Sequence, residues 1–596
     1  MLTSRLKSLL KREDIITPLN IAIAVYVLSV LILKPWGNFP ISDDFFYLTQ
    51  VKAFSMGVFI KSALIDPTFI LQAFIGLIWG KVFGITYVSL RVLTVIFSIL
   101  CIVGVDKILS FFNVRKSIKT LSLVLVAFIP QFYACSLTFM SENYFLSFIL
   151  FSLYNFLLFT KTNKNKYLLI ASILGGLSMM IRQYGVVLFI TYLSVYIMTS
   201  LSSKLRKLDI KKILTISIPF IILGGLGIFW PKYFNFEHTK SEDFSAYLAS
   251  FEDIVSRILS INLIPYIGYL LLPFTIPAFI KVKKKIVIPI LLVSIFLSFF
   301  IYKNNVFSIG NLFYLEGLHA RLVPTIRENL FNNVPFKMFI SYLVSLSFIT
   351  LVYYLVRELI KFYRSLDVKK VVRLIPNLEN SSYLLLFISL IGFYLIVMIT
   401  DRVFDRYLLN FFVILVILVS IYADKYKFNP GKLSFLMILL ISIITFFLVF
   451  DYYRLNKLKW NLADRLSTEI GVDRYKIFID NVYARTVYME QTENYKGLLT
   501  PNPEDYHPYC FVQEYTSQNK NILNDFISTI TKKGLFGKQI YNPQVENAGK
   551  LKELLNRFDP TDTLFFDEKY PSPMYNLIGR DTFVRAFCTQ NYKELR

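Results

Sequence analysis

The sequence predicts an all-α membrane domain of about thirteen transmembrane helices, followed by a small extracytoplasmic α/β domain at the C-terminus. Hydrophobic residues make up 55% of the chain, and the mean hydropathy is +0.54. They fall in runs of about 17–20 residues, the length of a helix that spans a bilayer. Basic residues collect in alternate loops between these runs, and the runs end near residue 452.

The apolar runs divide the chain into a transmembrane domain, residues 1–452, and a tail, residues 453–596. The fifth and sixth runs could instead form one broken helix, which would reverse the side of everything after it. A long loop, 37–87, follows the first run, and its apolar stretch Phe69–Trp79 predicts helices lying in the membrane interface. The candidate spans are residues 19–36, 88–106, 118–134, 143–160, 167–181, 184–200, 213–230, 261–280, 286–302, 338–356, 382–400, 405–423 and 432–450.

The loop charges predict the orientation of these spans. With the basic N-terminus inside, every lysine- and arginine-rich loop falls on the cytoplasmic side, as the positive-inside rule requires. The odd number of spans then places the tail outside. These loops also account for the net charge of +24, so nucleic-acid binding is not predicted. The basic loops lie at residues 107–119, 161–166, 204–212, 281–285, 357–373 and 425–432.

The tail begins with a helical pattern that ends near Gly471, and a strand-like run from Tyr475 to Ile479 follows. Cys510 and Cys588 both lie in this tail. An extracytoplasmic position would allow them to pair, but two cysteines alone do not determine a disulfide. Cysteine and histidine spacings typical of zinc sites are absent from the sequence.

Acids and arginines from five separate segments fall at the outer ends of the predicted spans. Ionisable groups at a membrane are costly, so they are candidates for function. Two other interpretations remain open, namely ordinary loop charges and structural ion pairs such as Asp405 with Arg182. The candidates are Asp43 and Asp44 after the first span, Arg91, Glu142 and Arg182 at later span ends, and Arg402, Arg406 and Tyr407 around the turn before the twelfth span.

This set of side chains suits the transfer of a group from a lipid-linked phosphate. Arginines bind phosphate through charge-assisted hydrogen bonds. A phosphate leaving group needs charge neutralisation more than a proton, whereas an acceptor hydroxyl needs a carboxylate base. No cofactor is required for this chemistry, although Asp43, Asp44 and Glu142 could also gather a divalent cation.

Several short motifs resemble one family of membrane enzymes. The segment Ile41–Tyr47 after the first span, Ser89-Leu-Arg91, Ser141-Glu142, the run ending at Arg182, and Asp405-Arg406-Tyr407 are similar to the GT-C-fold glycosyltransferases of family 39. That family includes protein O-mannosyltransferases, aminoarabinose transferases and bacterial mannosyltransferase-like domains. The resemblance implies a GT-C fold in the bacterial cytoplasmic membrane.

The resemblance also implies roles for the candidate residues. Asp43 takes the place of the catalytic base, with Asp44 and Glu142 beside it, and Arg406 takes a phosphate-binding place. Arg182, Arg402, Arg91 and Tyr407 would complete the donor site. The implied reaction moves a sugar, with inversion, from a polyprenyl-phosphate donor to an extracytoplasmic acceptor hydroxyl. The sugar, the oligomeric state, and whether the acceptor is a lipid, a glycan or a protein are not specified.

Two other functions are compatible with a polytopic protein. A transporter or flippase is disfavoured because the hydropathy shows no duplicated halves and no charge at the middle of a span. A periplasmic glycan polymerase or ligase of another membrane family would also use outer arginines and lipid-linked donors. The Asp43-Asp44 pair after the first span and the soluble tail favour the glycosyltransferase.

Overall fold

The computed structural model describes residues 17–41, 43–59, 68–202, 208–234, 250–258, 261–303, 334–364, 378–400, 403–479, 483, 486, 509–518, 563–570 and 580–588. The chain forms two compact units. The first comprises Met1–Trp36, Phe46–Ile309 and Ser341–Phe446, and the second comprises Gly37–Phe45, Gly310–Ile340 and Phe447–Arg596.

The described residues are mainly helical. Helices α1 to α17 run, in chain order, over Pro18–Leu33, Asp44–Ser55, Ile70–Phe83, Tyr87–Phe111, Lys116–Ala127, Pro130–Cys135, Glu142–Thr162, Asn165–Met179, Val186–Ser202, Ile210–Phe234, Phe251–Ile258, Ile264–Phe279, Lys284–Lys303, Val334–Arg364, Leu378–Ile399, Leu409–Lys425 and Lys432–Ile470. Strands β1 to β4 run over Ile477–Phe478, Cys510–Gln518, Thr563–Tyr570 and Arg580–Cys588.

The predicted multi-pass membrane architecture is confirmed. Helical structure lies at each of the thirteen predicted spans. Within the described residues, nine helices are long and apolar enough to cross a membrane. The other four predicted positions carry shorter helices, at α1, α5 with α6, α8 and α12.

The third predicted span is divided by a proline. Helix α5 ends at Ala127 and α6 begins with Pro130. Proline has no backbone N–H to donate to the preceding turn, but it fits the first position of a new helix. The fifth and sixth predicted spans are likewise two separate helices, α8 and α9, joined through a 3₁₀ turn at Gln183–Gly185.

Close packing of neighbouring helices forms the interior of the first unit. Helix α8 packs against both α7 and α10. A Cβ added at Gly176 of α8 would lie 2.8 Å from the Pro219 carbonyl oxygen of α10, so the two backbones approach more closely than a larger residue allows. Between α1 and α4, helix α3 coincides with the apolar stretch predicted to be helical. Its Trp79 indole donates to the Ser89 carbonyl at 3.0 Å and so attaches α3 to the start of α4.

The second unit contains the C-terminal sheet. Its strand order is β1-β2-β4-β3, with β1 parallel to β2 and the other neighbours antiparallel. Cys510 and Cys588 are opposed residues of β2 and β4 and form a disulfide. Phe39 packs on Tyr453 and Trp460 of α17, which joins the segment Gly37–Phe45 to this unit.

Candidate functional site

Glu142 is the first residue of α7 and the centre of a buried charged cluster in the first unit. Its side chain is 2% exposed and lies where the positive end of the helix dipole favours an acid. Ser141 precedes it without capping the helix through its side chain. The connection from α6 to α7, residues 136–141, leads directly into Glu142.

Arg182 reaches Glu142 from the end of the neighbouring helix. It follows α8 in an extended conformation, before the 3₁₀ turn. Its Nη1 donates to Glu142 Oε1 at 3.1 Å, and both side chains are buried. Because α7 and α8 are antiparallel neighbours, their two ends meet, which is why residues forty positions apart form this pair.

Arg406 comes from a third helix end. It lies in the 3₁₀ turn Asp405–Leu408 that precedes α16. Its Nε lies 3.5 Å from Glu142 Oε1, and its Nη1 lies 3.5 Å from the Met140 sulfur. One carboxylate oxygen is thus shared by two buried guanidinium groups.

Tyr407 provides the aromatic face of the cluster. The Arg182 Cζ lies 4.6 Å from the Tyr407 ring centroid, and the Arg406 Cζ lies 5.5 Å from it. Tyr184 packs edge-on against Tyr407 and also lies under Arg182. These cation–π contacts hold the two guanidinium planes where few rotamers are available.

The electrostatic balance of the cluster favours the charged form of the Arg182 guanidinium. Burial lowers the pKa of the Arg182 guanidinium, but Glu142 and Tyr407 raise it, and the net pKa lies above its usual value. Glu142, Arg182 and Arg406 carry one formal positive charge in excess, but the buried Asp405 beside Arg406 brings the formal sum of the four residues to zero. The case for an anion therefore rests on the two guanidinium groups, whose N–H groups can make charge-assisted hydrogen bonds to it.

The cluster has unused hydrogen-bonding capacity on its acidic side. Among the residues that the structure describes, the buried Oε2 of Glu142 has no hydrogen-bond partner. A guanidinium has five N–H donors, and Glu142 accepts only one hydrogen bond from Arg182. The remaining N–H donors of Arg182 can bind a phosphate, whereas Glu142 Oε2 is an acceptor and can bind only a donor group.

A second acid, Asp405, lies beside Arg406 in sequence and is fully buried. Gln131 of α6 donates to Asp405 Oδ2 at 3.4 Å. Asp405 thus begins the turn that carries Arg406 and is anchored by a different helix from the one that carries Glu142.

The other predicted residues have contacts of their own. Asp43 and Asp44 belong to the second unit, where Asp44 is fully buried and its Oδ1 accepts the Ile41 N–H at 2.6 Å. Arg91 is 1% exposed in the first turns of α4, and its Cζ lies 5.6 Å from the ring centroid of Tyr87 in the same helix. Arg402 lies outside the described residues.

A divalent cation at this site remains a prediction. Among the residues that the structure describes, no group of three or more His, Cys, Asp or Glu side chains could hold a metal ion. The charged cluster has one glutamate and two arginines, a donor set that suits an anion better than a cation.

Sequence reasoning missed several side chains of this site. Met140 and Tyr184 contact the arginines, and Gln131 holds Asp405. Gln131 carries a usable signal, since it is a polar residue inside a predicted span. Met140 carries none, because methionine in an apolar segment is ordinary core.

Residues 67–224 match the family model described as dolichyl-phosphate-mannose-protein mannosyltransferase. This stretch contains Arg91, Glu142 and Arg182, and the match confirms the resemblance predicted from the sequence. Arg406 and the Asp43-Asp44 pair lie outside it. No curated protein matches the chain significantly.

Two solved structures are similar to the chain in outline. Both are crystal structures of ArnT from Cupriavidus metallidurans, and each shares 11% identity with the chain. The alignment with the structure bound to undecaprenyl phosphate has a TM-score of 0.36, and it covers 94% of this chain and 97% of the ArnT chain. The apo structure has a TM-score of 0.34 and covers 85% and 94%, respectively.

Proposed function

We propose that this chain is a membrane glycosyltransferase that moves a sugar from a polyprenyl-phosphate donor to an extracytoplasmic acceptor hydroxyl. The observation that carries the proposal is the buried cluster of Glu142, Arg182 and Arg406. Two arginines oriented by one shared carboxylate form a preorganised anion site, and a phosphate monoester is the leaving group of such a donor.

The family match supports the donor class. The matched family uses, by its description, a dolichyl-phosphate-linked mannose, and the matched residues include Glu142 and Arg182. In a chain with many apolar helices, a polyprenyl tail would lie among those helices, with its phosphate at a helix end. The arginine cluster lies at three helix ends, where such a phosphate would be held.

The proposed reaction is a direct displacement at the anomeric carbon. The acceptor oxygen attacks that carbon, the bond from the carbon to the phosphate oxygen breaks, and the configuration inverts. The acceptor proton passes to the Asp43 carboxylate, with Asp44 as its neighbour. The bonding electrons leave with the polyprenyl phosphate, whose charge Arg182 and Arg406 neutralise.

The proposed location is the bacterial cytoplasmic membrane, with the reaction on its outer side. The Cys510–Cys588 disulfide supports an extracytoplasmic C-terminal domain, because structural disulfides persist in oxidising compartments. The alternating basic loops support the same orientation, with the N-terminus inside.

The proposal is tested by sugar transfer with the purified full-length protein in liposomes. Radiolabelled sugars are supplied either on polyprenyl monophosphate or as sugar nucleotides, together with an envelope extract as acceptor. We expect radiolabelled sugar to enter the acceptor from the polyprenyl-phosphate donor and not from the sugar nucleotide. Incorporation only from the nucleotide, or transport of the donor without a covalent product, would reject the proposal.

Asp43→Asn tests the base within the same assay. Loss of the carboxylate removes the proton acceptor, and a drop in transfer of at least 10²-fold is expected, with polyprenyl phosphate still bound. Asp253→Asn, at an exposed position of α11, is the matched control. Wild-type transfer by Asp43→Asn would remove the proposed mechanism.

A further inference from the structure

We infer that Thr68 and Gln72 are positioning residues that hold Glu142 against Arg182. Gln72 binds the backbone turn that precedes Glu142, and Thr68 binds the backbone turn that precedes Arg182. This inference rests on the proposed function only for its consequence on donor binding. The positioning itself follows from contacts within the first unit.

Gln72 binds the turn before Glu142. It lies in the first turns of α3 and is fully buried. Its Nε2 donates to the carbonyl oxygens of Phe139 and Met140, at 3.3 and 3.4 Å. Two carbonyl acceptors fix the orientation of the amide, because only the NH₂ group can donate to both.

Thr68 and the backbone that follows bind the turn before Arg182. The Thr68 hydroxyl donates to the Met179 carbonyl at 2.6 Å. The Phe69 and Leu71 N–H groups donate to the carbonyls of Ile181 and Met180, at 2.9 and 3.2 Å. All three carbonyls of the residues preceding Arg182 are therefore bound by one short segment.

The segment adopts a costly backbone conformation at its centre. Phe69 has a φ of 61°, in the left-handed region that is sterically unfavourable for a residue with a side chain. Such a conformation persists where the surroundings over-determine it. Here the Phe69 ring packs on Tyr47 and Phe139, with centroids at 4.6 and 6.0 Å.

These contacts converge on the charged cluster from both sides. The Met140 carbonyl is held by Gln72, and the Met140 sulfur lies 3.5 Å from Arg406 Nη1. Glu142 follows two residues later and pairs with both arginines. A single segment, residues 68–72, therefore sets the spacing between the carboxylate and the guanidinium of Arg182.

The first test measures amide hydrogen exchange in the purified full-length protein. Gln72→Met keeps the side-chain volume but removes the donor, and Thr68→Val removes the hydroxyl. Exchange of peptides covering residues 139–145 should rise about 10-fold in Gln72→Met, and exchange of those covering 180–186 should rise similarly in Thr68→Val. Thr68→Ser, which keeps the hydroxyl, should restore protection.

Thr445→Val is the matched control. The Thr445 hydroxyl also donates to a distant backbone carbonyl, that of Phe128 at 3.0 Å, and it is fully buried. It should lower thermal stability by a similar amount without changing exchange in either peptide. Equal exchange in all variants, or the same increase in Thr445→Val, would overturn the inference.

The second test measures coupling to Glu142 through the affinity for polyprenyl phosphate. Gln72→Met should weaken binding several-fold, up to about 10-fold, in the wild type, and less than about 2-fold in a Glu142→Gln background, because contacting groups are not additive. Equal weakening in both backgrounds would overturn the coupling. Failure of the wild type to bind polyprenyl phosphate would instead reject the proposed function and leave the exchange result to decide the positioning.

Discussion

Glu142 shows how one residue organises the candidate site. A buried carboxylate is costly unless it is paired, and here two buried arginines share one of its oxygens. Removing the negative charge would leave two guanidinium groups close together without the carboxylate oxygen that they share. Glu142 therefore has a structural role, because it holds the side chains of both arginines in position, in addition to any contact with a ligand.

Glu142→Gln tests this dependence. We expect a loss of about 3–5 kcal/mol in the free energy of unfolding, the usual cost of breaking a buried ion pair. Added polyprenyl phosphate should restore part of this loss, because an anion replaces the missing charge. Thermal unfolding in detergent, with and without the lipid, measures both effects.

Glu469→Gln is the control for that experiment. Glu469 pairs with Arg465 at 2.9 Å, but the two side chains are 51% and 38% exposed, respectively. Such a pair contributes under about 1 kcal/mol, and the lipid should make no difference. Similar losses for Glu469→Gln and Glu142→Gln would show that burial of the cluster has no special energetic role.

The sequence predicted the charged members of the site and not their supports. Glu142, Arg182 and Arg406 stand out because charge at a span end is expensive, whatever its partner. The sequence suggested Asp405 as an ion-pair partner of Arg182, whereas the structure pairs Arg182 with Glu142. Gln72 lies in an amphipathic-looking loop helix, where an amide raises no expectation of a buried contact.

At the scale of elements, close helix packing depends on residues that lack a side chain. A Cβ at Gly268 of α12 would overlap the Val344 carbonyl oxygen of α14. The Ser347 hydroxyl donates to the Gly268 carbonyl at 2.6 Å in the same contact. The two helices therefore meet through backbone atoms, as small residues permit inside membranes.

Gly268→Ala should disrupt this contact. Backbone must shift to admit the methyl group, and a loss of about 1–3 kcal/mol is expected, as for overpacked cores. Gly431→Ala is the matched control, because an added Cβ there meets nothing within 4 Å. Equal melting temperatures of the two variants in detergent would contradict the close approach.

The sequence predicted the positions of the helices correctly, but it did not predict where a helix breaks inside a span or continues beyond one. Hydropathy runs gave a helix at each span, because bilayer-spanning helices need long apolar segments. The break at Pro130 lies inside an apolar run, and hydropathy does not register a missing N–H donor. Helix α17 continues to Ile470, well beyond its apolar part, since polar residues extend a helix without a hydropathy signal.

At the scale of the whole molecule, the disulfide distinguishes the two units. Cys510 and Cys588 are bonded in the second unit, whereas Cys101 and Cys135 are free and buried in the first. The sequence left this pairing open, because the opposition of β2 and β4 joins residues far apart in the chain. Sheet order of this kind depends on long-range pairing that local patterns do not encode.

Thiol counting checks this assignment. Protein purified from membranes and denatured without reductant should react with iodoacetamide at two cysteines, and at all four after reduction. Intact mass spectrometry distinguishes the two results. Four reactive thiols without reductant would place the C-terminal domain in a reducing compartment or refute the pairing, and either outcome would contradict the proposed orientation.

The central claim is that Arg182 and Arg406 form the phosphate site of a polyprenyl-phosphate enzyme, and lipid binding tests it most directly. Dissociation constants for polyprenyl phosphate are measured by native mass spectrometry for wild type, Arg182→Gln, Arg406→Gln and, as an exposed control on α17, Arg454→Gln. Each cluster variant should bind about 10- to 100-fold more weakly, as for lost hydrogen bonds to a charged group, and Arg454→Gln should bind like the wild type. Unchanged affinity in both cluster variants would contradict the claim.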